Sequence, residues 1–241
     1  FIVALSLAVF VIALLYSSVG QAGASGYIAA MSLFGLAPAV VKPTALVLNI
    51  LVAGLASWQF WRAGHFSWRL FWPFAVAAVP SAFLGGYLDL PGNVFRAVVG
   101  LILIFSAFGL VVRRTDVSQV RRPGMPLALL AGAGLGLLAG ITGTGGGIFL
   151  APLLLLAGWA RVKMAAAVSA PFILLNSMSA LAGNIFNTSY LPSLAMPLAV
   201  AAVVGGSVGS YLGSVRLAHD AVKRLLAVVL FTAGAKLLAY G

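Results

Sequence analysis

Apolar residues in this chain neither alternate nor stripe; they run. Stretches of roughly 17 to 20 apolar residues, the length a helix needs to cross a hydrocarbon layer, recur from one end to the other. The runs fall at 1–18, 27–37, 43–61, 70–88 and 94–112, then at 125–141, 147–159, 163–185, 194–213 and 222–240. Helices apolar on every face belong in lipid or a large core, so the pattern predicts an all-α polytopic membrane protein. Residues 1–15 faintly resemble a secretory leader, but no basic segment precedes them and they have a counterpart at 125–141. They read as a genuine first helix.

The runs form two copies of one unit. Pro73-Phe-Ala-Val-Ala-Ala-Val79 with Gly85-Gly-Tyr-Leu88 matches Pro197-Leu-Ala-Val-Ala-Ala-Val203 with Gly209-Ser-Tyr-Leu212 at a constant offset of 124. Upstream, Ala45-Leu-Val-Leu-Asn49 pairs with Phe172-Ile-Leu-Leu-Asn176. Farther upstream two glycine-rich interruptions correspond, Gly20-Gln-Ala-Gly-Ala-Ser-Gly26 and Gly140-Ile-Thr-Gly-Thr-Gly-Gly-Gly147. Residues 1–113 and 125–241 are thus two membrane repeats, joined by an Arg-rich linker at 114–124. Each repeat reads as an apolar leg, a glycine break, a shorter leg and three fuller spans.

Basic residues set the topology. If the short legs return, each repeat has five legs and the repeats are inverted. Eleven basic residues then share the linker's side, namely Arg62, Arg69, Arg113, Arg114, Arg121, Arg122, Arg161, Lys163, Arg216, Lys223 and Arg224. Only Lys42, Arg96 and Lys236 fall opposite. If the short legs do not cross, the split is seven to seven. The positive-inside rule favours inverted repeats with a cytoplasmic linker. Trp58, Trp61, Trp68 and Trp72 bracket the Arg62–Arg69 loop, where interfacial rings belong.

Composition narrows the chemistry. The chain has 241 residues, 63% of them hydrophobic and 7% charged, too little charge to cover a soluble domain. A net charge of +11 would suggest nucleic acid in a soluble protein. Here the basic residues sit in short loops, so topology explains them and no nucleic-acid partner is expected. The absence of Cys excludes disulfides and thiolate metal sites. There is no Glu, and Asp89, Asp116 and Asp220 fall in or beside loops. Intramembrane carboxylates mark cation sites and proton relays; lacking them, the chain reads as no cation carrier.

The breaks carry the candidate chemistry. Glycine interruptions at matching places in two membrane repeats point to a transporter's binding site. Gly143, Gly145, Gly146 and Gly147 expose backbone amides that lead into a helix N-terminus, which suits a small anion. Thr142 and Thr144 add hydroxyls; Gly20, Gln21, Gly23 and Ser25 are the first-half equivalents. Asn49 and Asn176 lie mid-span at matched positions, open to reading as interhelical bonds or as site residues. Thr44 and Ser169 read as caps, and His65 and His219 as loop residues. Gly132-x3-Gly136-x3-Gly140 and Gly205-x3-Gly209-x3-Gly213 read as helix-packing ladders. A phosphate-binding loop needs Lys-Ser/Thr where Ile148-Phe149 stands, and no dinucleotide fingerprint or protease motif is present. No enzyme activity, cofactor or metal site is expected.

Thr142-Gly-Thr-Gly-Gly-Gly147, Pro152-Leu-Leu-Leu-Leu156 and Lys163-Met-Ala-Ala-Ala-Val-Ser169 resemble the signature of the sulfite exporter TauE/SafE family. The first half departs from it, with Gln21, Ala22, Ala24 and Ser25 where glycines are common. The resemblance implies a bacterial-type plasma-membrane exporter of small sulfur-containing anions such as sulfite, sulfonates, sulfoacetate or thiosulfate. The expectation is a secondary transporter working by alternating access, its anion bound between the two breaks. An anion channel, or a carrier of another small oxyanion or carboxylate, is the alternative. Homo-oligomerisation stays open.

Overall fold

The structure, a computed structural model of the chain, describes residues 2–88, 104, 107–108, 120–121, 123–188 and 195–239. Most of the expected span 94–112 lies outside these residues, as do Asp89, Arg96 and Asp116. The described residues form helices and loops, with no strand among them. In chain order the helices are α1 (Ile2–Ser17), α2 (Ala24–Leu33), α3 (Pro38–Arg62) and α4 (Trp68–Tyr87). They continue with α5 (Met125–Thr142), α6 (Gly147–Leu156), α7 (Val162–Thr188), α8 (Ala195–Tyr211) and α9 (His219–Ala239). A π-helical turn, Leu212–Arg216, extends α8.

Five of these helices are long and apolar enough to cross a membrane, while α1, α2 and α6 are shorter. Helix α3 begins five residues before the expected 43–61 run because proline is tolerated in a first turn, where its missing N–H would have no partner. Helix α2 begins at Ala24, so Ser25 and Gly26 belong to its first turn and the first break shrinks.

Exposed apolar stripes mark the surface that faces lipid. Along α1, Val3, Leu7, Val11 and Leu15 are exposed at four-residue spacing while Leu5, Val9 and Ala13 are buried. Met196, Val200, Val204 and Val208 repeat the pattern on α8. Water would penalise such stripes; lipid does not. Trp58, Trp61 and Trp68 are more than half exposed beside the α3–α4 loop, and the Arg62 guanidinium lies 5.7 Å from the Trp58 ring centroid. This is the interfacial belt expected of amphipathic rings.

The two halves exchange their first legs. On α5, Gly132, Gly136 and Gly140 lie against the backbone of Phe74, Ala78 and Ala82 of α4, where any Cβ would strike a carbonyl. On α8, Gly205, Gly209 and Gly213 lie in the same way against Phe10, Leu14 and Ser18 of the α1 segment. Both pairs run parallel, and the expected packing role of each ladder stands: lacking side chains, the glycines let backbones approach. Helices α3 and α7 cross the centre antiparallel. Asn49, mid-way along α3, bonds Ser177, just past the middle of α7, while Ala56 and Phe60, later in α3, cluster with Ala166, Ala167 and Ala170, near the start of α7.

One end of the molecule is basic. His65 of the α3–α4 loop and Lys163 of α7 meet at the Ser214 carbonyl, and Arg121 N–H donates to Gly158 O. These contacts draw Arg62, Arg69, Arg161 and Arg216 to that end, whereas Lys42 stands at the other end of α3.

Candidate functional site

The second break is a glycine turn inside a hairpin. Gly143 is left-handed (φ 71°) and closes α5 by donating its N–H to Ala139 O at 2.9 Å. Gly145 and Gly146 are also left-handed, at φ 74° and 79°, a region other residues enter at a cost of about 1–2 kcal/mol each. Gly146 lies beside Ala139 and Leu135, so the turn folds back against the last turns of α5. Phe149 and Leu150 both donate to Gly146 O. The N–H groups of Gly145, Gly146, Gly147 and Ile148 have no partner among the described residues. A helix start leaves such donors open and carries partial positive charge.

Buried side chains of α3 and α7 face this turn. A Cβ at Gly145 would fall 2.7 Å from Ser177 Oγ and 2.9 Å from Asn49 Nδ2. Asn49 donates through Nδ2 to Thr144 O (3.2 Å) and Ser177 Oγ (3.3 Å), and its Oδ1 has no partner. Asn176 is fully buried with neither amide atom partnered. It lies one helical turn beyond Phe172 and Ile173, which contact Gly146 and Gly147, and residues three and four apart share a helix face. In a low-dielectric interior an unpaired polar group is costly, which makes Asn176 the most conspicuous buried polar residue of α7.

The first break reaches the second through one side chain. Gln21, 2% exposed, donates from Nε2 to Gly147 O at 3.0 Å. Gly20 packs on the Ala166 backbone of α7. Gly23 lies against Tyr27 and Ile12, and Ser25 donates to Tyr16 Oη at 3.2 Å. Gly23 and Ser25 therefore serve the α1–α2 packing.

The threonines are occupied within their own turn. Thr142 Oγ1 donates to Leu138 O at 2.6 Å, so across the 2.8 Å contact it is Thr144 that donates to Thr142 Oγ1. The structure thus brings Gln21, Asn49, Thr144, Gly145, Gly146 and Gly147 together and places Asn176, which bonds none of them, one residue from Ser177. It packs Gly20 on α7, and leaves Gly23 and Ser25 on the first break's own hairpin. Ser177 joins the cluster as well; its signal in the sequence was position, immediately after Asn176. No group of three or more His, Cys, Asp or Glu that could hold a metal occurs among the described residues.

The architecture is that of a membrane protein with two glycine-broken hairpins, and the family profile described as "Sulfite exporter TauE/SafE" matches residues 5–237. The chain belongs to the sulfite exporter TauE/SafE family. It is 42% identical over 241 residues to the "Probable membrane transporter protein y4hK" of Sinorhizobium fredii (strain NBRC 101917 / NGR234), covering 98% of each chain. As a TauE/SafE member with five candidate spans among its described residues, it is a multi-pass membrane protein of a transporter family.

Proposed function

We propose that this TauE/SafE protein is a secondary transporter that exports a small sulfur-containing oxyanion across the plasma membrane by alternating access. The observation that carries the reading is the open row of N–H donors at Gly145–Ile148, lying against buried Asn49 and Ser177, with the unpartnered Asn176 next to Ser177 on α7. Such donors, at the start of a helix and away from water, stabilise an anion's oxygens. Asn176 supplies a further donor and acceptor, and Asn49 Oδ1 an acceptor for a proton carried by the substrate. No acidic side chain lies in a described membrane span to repel the charge.

The antiparallel crossing of α3 and α7 supports inverted repeats, and the gathering of arginines at one end supports placing that end and the 114–124 linker in the cytoplasm. Rocking one repeat against the other would then expose the breaks to each side in turn. An interior-negative potential favours anion exit by about 2.3 kcal/mol per charge per 100 mV.

The test is binding and flux with purified protein. Sulfite, thiosulfate or sulfoacetate should raise its melting temperature, with sulfate, taurine and a choline salt as comparisons. Reconstituted flux should saturate, follow membrane potential, and collapse in Gly146→Leu. Absence of stabilisation by any anion, together with unchanged flux in Gly146→Leu, would sink the proposal.

A further inference from the structure

A buried charge stands at the start of α7. Lys163 is 8% exposed, and its ammonium donates to a neutral acceptor, Ser214 O, at 3.3 Å. Asp220, the one acidic residue among those described, is exposed and does not pair with it. The Ser214 carbonyl lies within the π-wound end of α8, where Leu217 N–H returns to Leu212 O at 2.8 Å. Winding of this kind recurs at functional sites. His65 meets the same oxygen through Nε2 at 3.2 Å, and because a carbonyl only accepts, Nε2 carries the hydrogen.

This cluster lies against the first break. Gly213, one residue before Ser214, packs on the Ser18 carbonyl, and Ala166, three residues beyond Lys163, packs on Gly20. A carbonyl satisfies one of the ammonium's three donors and none of its charge. In a poorly screened setting that charge attracts an anion far more strongly than it would in water.

We propose that Lys163, held on Ser214 O beside His65, is an oxyanion subsite at the basic end of the molecule, where the transported anion docks before it reaches the central glycine turns. The inference rests on the anion-transport reading above. It also has a counterpart: Lys42 begins α3 at the other end, and its side-chain carbons lie against Gly143 of the second break. Each lysine thus stands beside the break of the opposite half. Lys163 serves the basic face and Lys42 the other.

The experiment measures radiolabelled sulfite uptake into right-side-out and everted vesicles containing the full chain. Losing a charge-assisted bond should raise KM by about tenfold or more. Lys163→Met should do so only for sulfite presented to the basic face, Lys163→Arg should restore it, and Lys42→Met should show the reverse sidedness. In the wild type, sulfite should also protect Lys163 from an amine-reactive reagent, a readout that does not require any variant to fold. Equal KM effects at both faces, failure of Arg to rescue, or absence of protection overturns the subsite. Wild-type sulfite flux with an unaltered Lys163→Met KM overturns the subsite alone; a wild type that neither binds nor carries sulfite overturns the transport reading with it.

Discussion

Asn49 and Asn176 close two similar sequence segments, Ala45–Asn49 and Phe172–Asn176, yet replacing each by leucine should move stability in opposite directions. Asn176 is fully buried with neither amide atom partnered. An unsatisfied buried polar group costs about 1–3 kcal/mol. Side-chain bonds inside membranes are worth nearer ~0.6 kcal/mol, since the unfolded chain in lipid also finds partners. Asn176→Leu, close to isosteric, should therefore stabilise the fold by about 1–2 kcal/mol. At roughly 2–4 °C per kcal/mol for a chain of this size, the melting temperature should rise by about 2–8 °C. Asn49→Leu instead discards the bonds to Thr144 O and Ser177 Oγ and leaves the Thr144 carbonyl facing an alkyl group, so it should destabilise by about 1 kcal/mol or more. Both variants should lose the shift that sulfite or sulfoacetate produces in detergent-solubilised wild type. A residue that weakens the fold yet serves the ligand is the expected signature of a site. If Asn176→Leu melts lower than wild type and keeps the ligand-induced shift, Asn176 is packing glue and the reasoning is refuted.

The geometry fixes the expected outcome of four further variants. Gly145→Ala places a methyl 2.7 Å from Ile173 Cγ2 and Ser177 Oγ at a left-handed position, a combined cost of about 2–5 kcal/mol, so flux should fall sharply. Gly134→Ala on α5 meets nothing within 4 Å and should be neutral or stabilising by up to about 1 kcal/mol; equal flux in the two variants would contradict the turn's role. Gly136→Val drives a side chain into the Ala78 backbone and should abolish the monodisperse peak in size-exclusion chromatography, whereas normal folding would show that α4 and α5 do not rely on close backbone contact. Gln21→Leu removes the bond to Gly147 O linking the two breaks, so exchange should slow while equilibrium sulfite affinity, read by thermal shift, changes by less than about threefold; lost affinity at unchanged exchange would instead place Gln21 on the ligand.

Much of the fold was legible because membrane helices announce themselves by length and composition. The described spans coincide with the apolar runs to within a few residues. The misplaced starts, at α2 and α3, trace to Ala24, whose N–H like any in a first turn needs no partner within the helix, and to Pro38, which has no N–H to satisfy. The second break was legible for a related reason: left-handed turns at Gly145 and Gly146 are costly for anything but glycine, so the conformation is written in the residue type. The first break was harder to read. Gly23 and Ser25 matched the second break by position but turned toward Tyr27 and Tyr16, bulky neighbours on their own hairpin.

Sequence alone therefore determined the class of the protein and the places where its helices break. Both depend on local composition. Tertiary structure decided which surfaces meet. A glycine ladder permits close approach without naming a partner, so nothing in Gly132, Gly136 and Gly140 foretold that α5 would pack on α4 of the other half. It also decided which polar groups are satisfied. Asn49 and Asn176 look alike along the chain, and only packing gives one of them Thr144 and Ser177 while leaving the other buried with open valences, because a hydrogen bond requires two groups to meet in space.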